Sequence, residues 1–175
     1  MIFFGQNLVY SKILLYLCSR FKEFAAAMTE QDIEMRAQRA VELFKQGFNC
    51  AQAVFASCAD LYGIQDEKLA LRLSASFGGG MGRMRLVCGA ASGMFMLAGL
   101  QNGSATPHDN DGKMANYALV RDLAGQFKEQ YGSLICAELL GLAPRPADAP
   151  ACRKAPCVEM VAEAVRIYLK NTNEV

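Results

Sequence analysis

The 175-residue sequence predicts an all-α fold, a single compact bundle of about six to seven helices, on three observations. Apolar residues recur at three-and-four spacing, the marks of helix starts and stops punctuate them, and no run has the strict alternation or β-branched density of a strand. With 53% hydrophobic and 20% charged residues, the chain suits one ordinary core. One domain over residues 28–175 is therefore expected.

In chain order, Thr29 and Asp32 have the spacing of a capping box, and Ile33, Ala37, Ala40, Val41 and Phe44 mark one face of a first helix, Glu30 to Gln46, stopped by Gly47. Asn49 is a suitable N-cap for an alanine-rich second helix with Cys50 in its first turn and Gly63 as its end. Asp66 caps a third helix through Phe77, after which Gly78-Gly79-Gly80-Met81-Gly82 forces a loop. Val87 to Leu100 is almost wholly apolar with small residues at Gly89, Ala90, Ala91, Ser92 and Gly93, and reads as a buried central helix. A polar loop leads to a long amphipathic helix, Lys113 to Tyr131, and then a short one, Ser133 to Leu140, with a serine cap. Ala143 to Pro156, with four prolines, is a connection before a last helix, Val158 to Leu169.

Residues 1–27 stand apart. They read as a leader or a mis-assigned start, with Met28 as the real one, or else as an extra helix. Their apolar stretch is interrupted by Gln6, Asn7 and Lys12 and has no basic segment before it, so it makes a poor signal peptide or membrane span. No stable membrane insertion is expected. A formal net charge of +1, without a basic patch interleaved with aromatics, argues against nucleic acid as a partner. The chain is too large and apolar for its seven cysteines to be the staples of a secreted miniprotein, so a reducing, cytoplasmic location is expected.

Four of those cysteines share a local setting. Cys50 and Cys157 stand at helix starts, Cys88 begins the apolar helix, and Cys136 lies in the short helix after Gly132. Partial positive charge and unpaired N–H groups at a helix N-terminus stabilise a thiolate, and Arg83 and Arg85 close before Cys88 would add to that. The plainer alternative is that each is a small buried hydrophobe. Cys58, two turns beyond Cys50, reads as a packing residue, and the absence of any Cys-x-x-Cys argues against a zinc ribbon, a thioredoxin-type pair and covalent haem. Gly78 to Gly82 lacks the strand and Gly-Lys-Ser/Thr of a phosphate cradle, so no nucleotide is expected. His108 reads as a solvated loop residue, Asp109 and Asp111 lack the pattern of a calcium loop, and Met81, Met84, Met94 and Met96 read as core filling.

Five segments in order, Gly47-Phe48-Asn49-Cys50-Ala-Gln-Ala-Val, Phe77-Gly-Gly-Gly-Met-Gly-Arg-Met, Cys88-Gly-Ala-Ala-Ser-Gly, Tyr131-Gly-Ser-Leu-Ile-Cys136 and Cys157 before a final helix, resemble the C_GCAxxG_C_C family, described as redox-active. The resemblance covers about Ile33 to Leu169 and matches the family cysteines to Cys50, Cys88, Cys136 and Cys157. Cys18, Cys58 and Cys152 lie outside the pattern. Cys152 competes with Cys157 for the fourth place, and Cys157 is preferred because Val161 and Ala164 keep the family's helix spacing. The resemblance implies redox activity and a link to transporters. Through a similar module beside the haem-binding part of split-Soret cytochromes, it also implies an iron–sulfur centre.

Three functions follow as expectations. In the first, thiolates of Cys50, Cys88, Cys136 and Cys157 bind an iron–sulfur cluster or another metal, with Arg83 and Arg85 offsetting its charge. In the second, two of the same cysteines exchange electrons through a reversible disulfide. The third is a transporter-associated sensor or interaction module. A redox partner, a transporter-linked protein and a homodimer packed on the apolar helix complete the partner expectations.

Overall fold

The structure, a computed structural model, describes residues 28–143 and 156–172. The expectations for 1–27, Cys18 and Cys152 lie outside the described residues. Within them the all-helical expectation holds: α1 (Glu30–Lys45), α2 (Cys50–Cys58), α3 (Glu67–Ser74), α4 (Gly89–Asn102), α5 (Asn110–Tyr131), the single turn α6 (Cys136–Leu139) and α7 (Cys157–Thr172). Extended pairing among the described residues is one isolated antiparallel bridge, Val87 with Ile135.

Helix starts follow the side chains that satisfy their free N–H groups. Thr29 Oγ1 accepts from Asp32 N at 3.2 Å, while Asp32 Oδ2 accepts from the Thr29 hydroxyl at 2.7 Å and from Thr29 N at 3.0 Å, and these last two bonds, the hydroxyl's first, hold the Asp32 carboxyl below its ordinary pKa. Asn49 Oδ1 accepts from Ala51 N and Gln52 N, and Gln52 returns a bond to Asn49 N, so the cap holds Cys50 at the first position of α2. Two caps differ from expectation. Asp109 takes the cap of α5 by accepting from Gly112 N, which brings that helix forward to Asn110. Ser133 does not cap α6. Its hydroxyl accepts from Ile135 N and donates to Glu138 Oε2, closing a turn ahead of the helix and leaving Ile135 at the cap position.

Helix α2 is the central post, buried at every position except Cys50 and Gln52, with α1, α3, α4 and α7 packed around it. Its alanines permit the close approach. Gly93 on α4 completes it, since a β-carbon there would stand 2.9 Å from both Ala51 O and Val54 Cβ. The core continues through Met94, Leu97, Phe127, Tyr131 and Tyr168, all fully buried. Tyr62 and Tyr168 share a hydroxyl–hydroxyl hydrogen bond, and Tyr168 also donates to Leu97 O.

Arg36 of α1 makes a two-pronged bond to Asp60 (2.8 and 3.0 Å) and a third to Ser57 O, clamping α1 to the end of α2. Burial pushes the Asp60 carboxyl up, but the Arg36 bonds outweigh it and hold the group below its ordinary range. Arg166 ties α7 to Glu34 of α1 through two 2.8 Å bonds. Among the described residues no helix is long and apolar enough to cross a membrane. Cys58 is fully buried, as its packing role requires, whereas Met84 departs from the expected core filling and is 65% exposed.

Candidate functional site

The segment that builds the site is the turn between α3 and α4. Gly79, Gly80 and Gly82 have φ of +64°, +71° and +61°, a hand that glycine adopts without a β-carbon penalty. Met81, Arg83 and Arg85 follow it at +62°, +67° and +65°, at about 1–2 kcal/mol each for an L-residue. The sequence shows the glycines but not these three. The turn is held by Arg85 N donating to Gly79 O and Leu86 N to Gly80 O, and it then locks onto the α6 segment through Cys136 N to Leu86 O at 2.6 Å and Ala137 N to Arg85 O at 3.1 Å. Cys88 N donates to Leu134 O at 2.7 Å on the same seam.

These bonds bring sequence-distant sulfur together. Cys50, Cys88, Cys136 and Cys157 all line one cavity of about 50 Å³, whose wall also includes Arg85 and Met160. The glycines of the motifs make the room. A β-carbon on Gly89 would lie 2.3 Å from Cys50 Sγ and 3.0 Å from Phe77 O, and one on Gly80 would lie 2.7 Å from Cys136 Cβ and 2.8 Å from Leu86 N. Arg85 Nη1 donates to Cys136 Sγ at 3.9 Å. Arg83 is not in the wall; its side chain lies over Gly79, which is. Met160 escaped the sequence reading, although its place three residues after Cys157 puts both on one face of α7.

Electrostatics correct the expectation of thiolates at every helix start. Burial pushes the Cys88 thiol up to about 12; the amides of Ala91 and Ala90 draw it back only in part, and neighbouring Cys50 and Cys136 raise it further. Cys157 is also pushed up, by burial first and then by Cys50 and Cys136, against the pull of Arg85. Desolvation of a thiolate outweighs the helix end at both sites.

The metal and iron–sulfur expectation is overturned. Among the described residues no group of three or more Cys, His, Asp or Glu side chains stands close enough to hold a metal ion. Thiolates ligating one zinc at about 2.3 Å need sulfurs within roughly 4 Å of one another. Here the four thiols come from separate elements, with Gly79, Ala90 and leucine side chains also in the wall, and they surround a space rather than a point. The residues present do not fit a thiolate-bound cluster. The disulfide expectation is corrected too, because Cys50, Cys58, Cys88, Cys136 and Cys157 are all free thiols and no pair stands at bonding distance. His108 is an exposed loop residue at φ +64° and takes no part in the cavity wall.

Fold and site together define an all-helical protein built around a four-thiol cavity with one arginine in its wall. The family described as "Putative redox-active protein (C_GCAxxG_C_C)" matches residues 48–170, and the chain belongs to that family. No curated protein and no solved structure matches it.

Proposed function

We propose that this protein is a thiol redox protein that works through one sulfur at a time, with Cys136 reducing a small uncharged hydroperoxide. The observation that carries the reading is the Arg85 guanidinium donating to Cys136 Sγ inside a small, mostly apolar cavity. A nucleophilic sulfur needs a counter-charge, and Arg85 supplies one there. Space of about 50 Å³ admits a molecule of roughly two to four non-hydrogen atoms.

In the step, the Cys136 sulfur attacks one oxygen of hydrogen peroxide. An S–O bond forms as the O–O bond breaks, sulfur is oxidised by two electrons, and the departing oxygen takes the thiol proton to leave as water. Arg85 steadies the negative charge that develops on the leaving oxygen during attack. A dithiol reductant then restores the thiol: the sulfenic oxygen leaves as water and the reductant closes its own disulfide. Cys88, kept protonated by burial, lines the space without competing for the peroxide.

The test is one equivalent of hydrogen peroxide on the full chain, followed by a sulfenic-acid trap and peptide mass spectrometry. Loss of one thiol per chain with the trap on Cys136 is expected, and Arg85→Gln should slow the reaction about tenfold or more. Loss of thiols in pairs, or trapping elsewhere with Cys136 untouched, would overturn the reading.

A further inference from the structure

Beside its four thiols the cavity wall includes a thioether. Met160 is 2% exposed, and on α7 it stands one turn beyond Cys157, on the face whose side chains meet the cavity. The cavity reaches the surface, because Cys50, Arg85 and Cys157 in its wall are half-buried and Leu140 is 37% exposed. A peroxide that reaches Cys136 therefore reaches Met160 as well. Exposure alone would rank this methionine far behind Met35, Met84 and Met114, which are 62%, 65% and 52% exposed, and level with Met94, which is fully buried away from the wall.

We infer that Met160 is a second oxidation site of this cavity, and that its sulfoxide closes the space in front of Cys136. In the step, the thioether sulfur attacks one oxygen of hydrogen peroxide. An S–O bond forms as the O–O bond breaks, sulfur is oxidised by two electrons, and the departing oxygen takes the proton of the transferred hydroxyl to leave as water. The added oxygen fits within about 50 Å³, which holds roughly two to four non-hydrogen atoms, and it takes the room that a peroxide needs. It is also a better acceptor than the Cys136 sulfur, which lies 3.9 Å from Arg85 Nη1, so it draws the guanidinium away from that thiol. A dithiol that restores Cys136 leaves the sulfoxide in place, since methionine sulfoxide is reduced by an enzyme of its own. Excess peroxide thus shuts the site. The consequence for Cys136 rests on the single-thiol reading, whereas the oxidation of Met160 does not.

The probe is hydrogen peroxide in excess on the full chain and on Cys136→Ser, with each methionine followed by peptide mass spectrometry. In both chains Met160 should gain oxygen at least about tenfold faster than Met94 and within about threefold of Met84. A Met160 that lags with Met94 overturns the inference. Closure is read without peroxide, by alkylating Cys136 with acrylonitrile, a reagent of the size the cavity admits. Met160→Gln, which sets an amide oxygen near the place of the sulfoxide oxygen, should be alkylated about tenfold more slowly than Met160→Leu. Equal rates in the two variants overturn the closure. If circular dichroism shows Met160→Gln unfolded, the oxidation rates of the methionines still decide the site. Failure of Cys136 to form a sulfenic acid leaves the oxidation of Met160 standing, and a Met160 that stays reduced leaves the Cys136 chemistry standing.

Discussion

Cys50 Sγ rests against the bare α-carbon of Gly89, at a place where any β-carbon would stand 2.3 Å from the sulfur. The glycine of the Cys-Gly-Ala-Ala-Ser-Gly run is thus a seat for a thiol 39 residues earlier in the chain, and one atom more would force the two helices or the sulfur to move. Gly89→Ala should destabilise the protein by roughly 1–3 kcal/mol in urea unfolding. Adding Cys50→Ala removes the sulfur and should recover part of that loss. If the two costs simply add, the contact does not couple the positions.

The second glycine of the run acts elsewhere. Gly93 lets α4 lie against Ala51 O and Val54 of α2, and neither backbone nor a β-branched side chain can step aside cheaply. Gly93→Ala should cost roughly 1–3 kcal/mol and leave the sulfur environment of Cys136 unchanged. Urea midpoints together with thiol-trapping rates check this, and an altered trapping rate would show that Gly93 also shapes the cavity.

Most of the helical frame was legible because helix ends are written locally: Thr29, Asn49 and Asp66 cap where their side chains reach the next amides. The four cysteines at helix starts were legible for the same reason. Ser133 misled because a hydroxyl can close a turn as readily as it caps a helix, and here Glu138 takes its hydrogen. The neutral state of Cys88 was hidden because burial is set by what packs over it, including the residues around Leu134 that follow it by more than forty positions. Whether thiols meet at a point or wall a space is likewise a property of packing and not of spacing.

The left-handed turn holds Met81 at φ +62°, where an L-residue is strained. Met81→Gly removes that strain of about 1–2 kcal/mol and adds unfolded-state freedom of about 0.5–1 kcal/mol. A net gain of about 0.5–1 kcal/mol is expected, seen as a rise in Tm of a few degrees. No change or a fall would mean that the methionine side chain contributes packing of similar size.

Cys58 offers a pH test. Burial pushes its thiol from 9.0 up to about 11 in the folded protein, the Ser57 hydroxyl drawing it back only in part. The raised folded value means that stability is fully present below about pH 9 and is lost as pH climbs toward 11, where the unfolded chain ionises first. The total is roughly 2–3 kcal/mol. Cys58→Ala should start lower through its cavity but fall less steeply between pH 9 and 11, read by urea unfolding at each pH. Parallel slopes would show that the thiol does not titrate differently in the two states.

The wall of the thiol cavity draws on positions 50, 79, 85, 88, 136, 157 and 160. During synthesis from the N-terminus the first six of these are joined before Met160 is, so the enclosure closes only when the last helix arrives. The cavity is therefore a late product of biogenesis: a truncated chain would carry the family's cysteines without their enclosure, and ordinary exposed-thiol reactivity would distinguish such a chain from the finished protein.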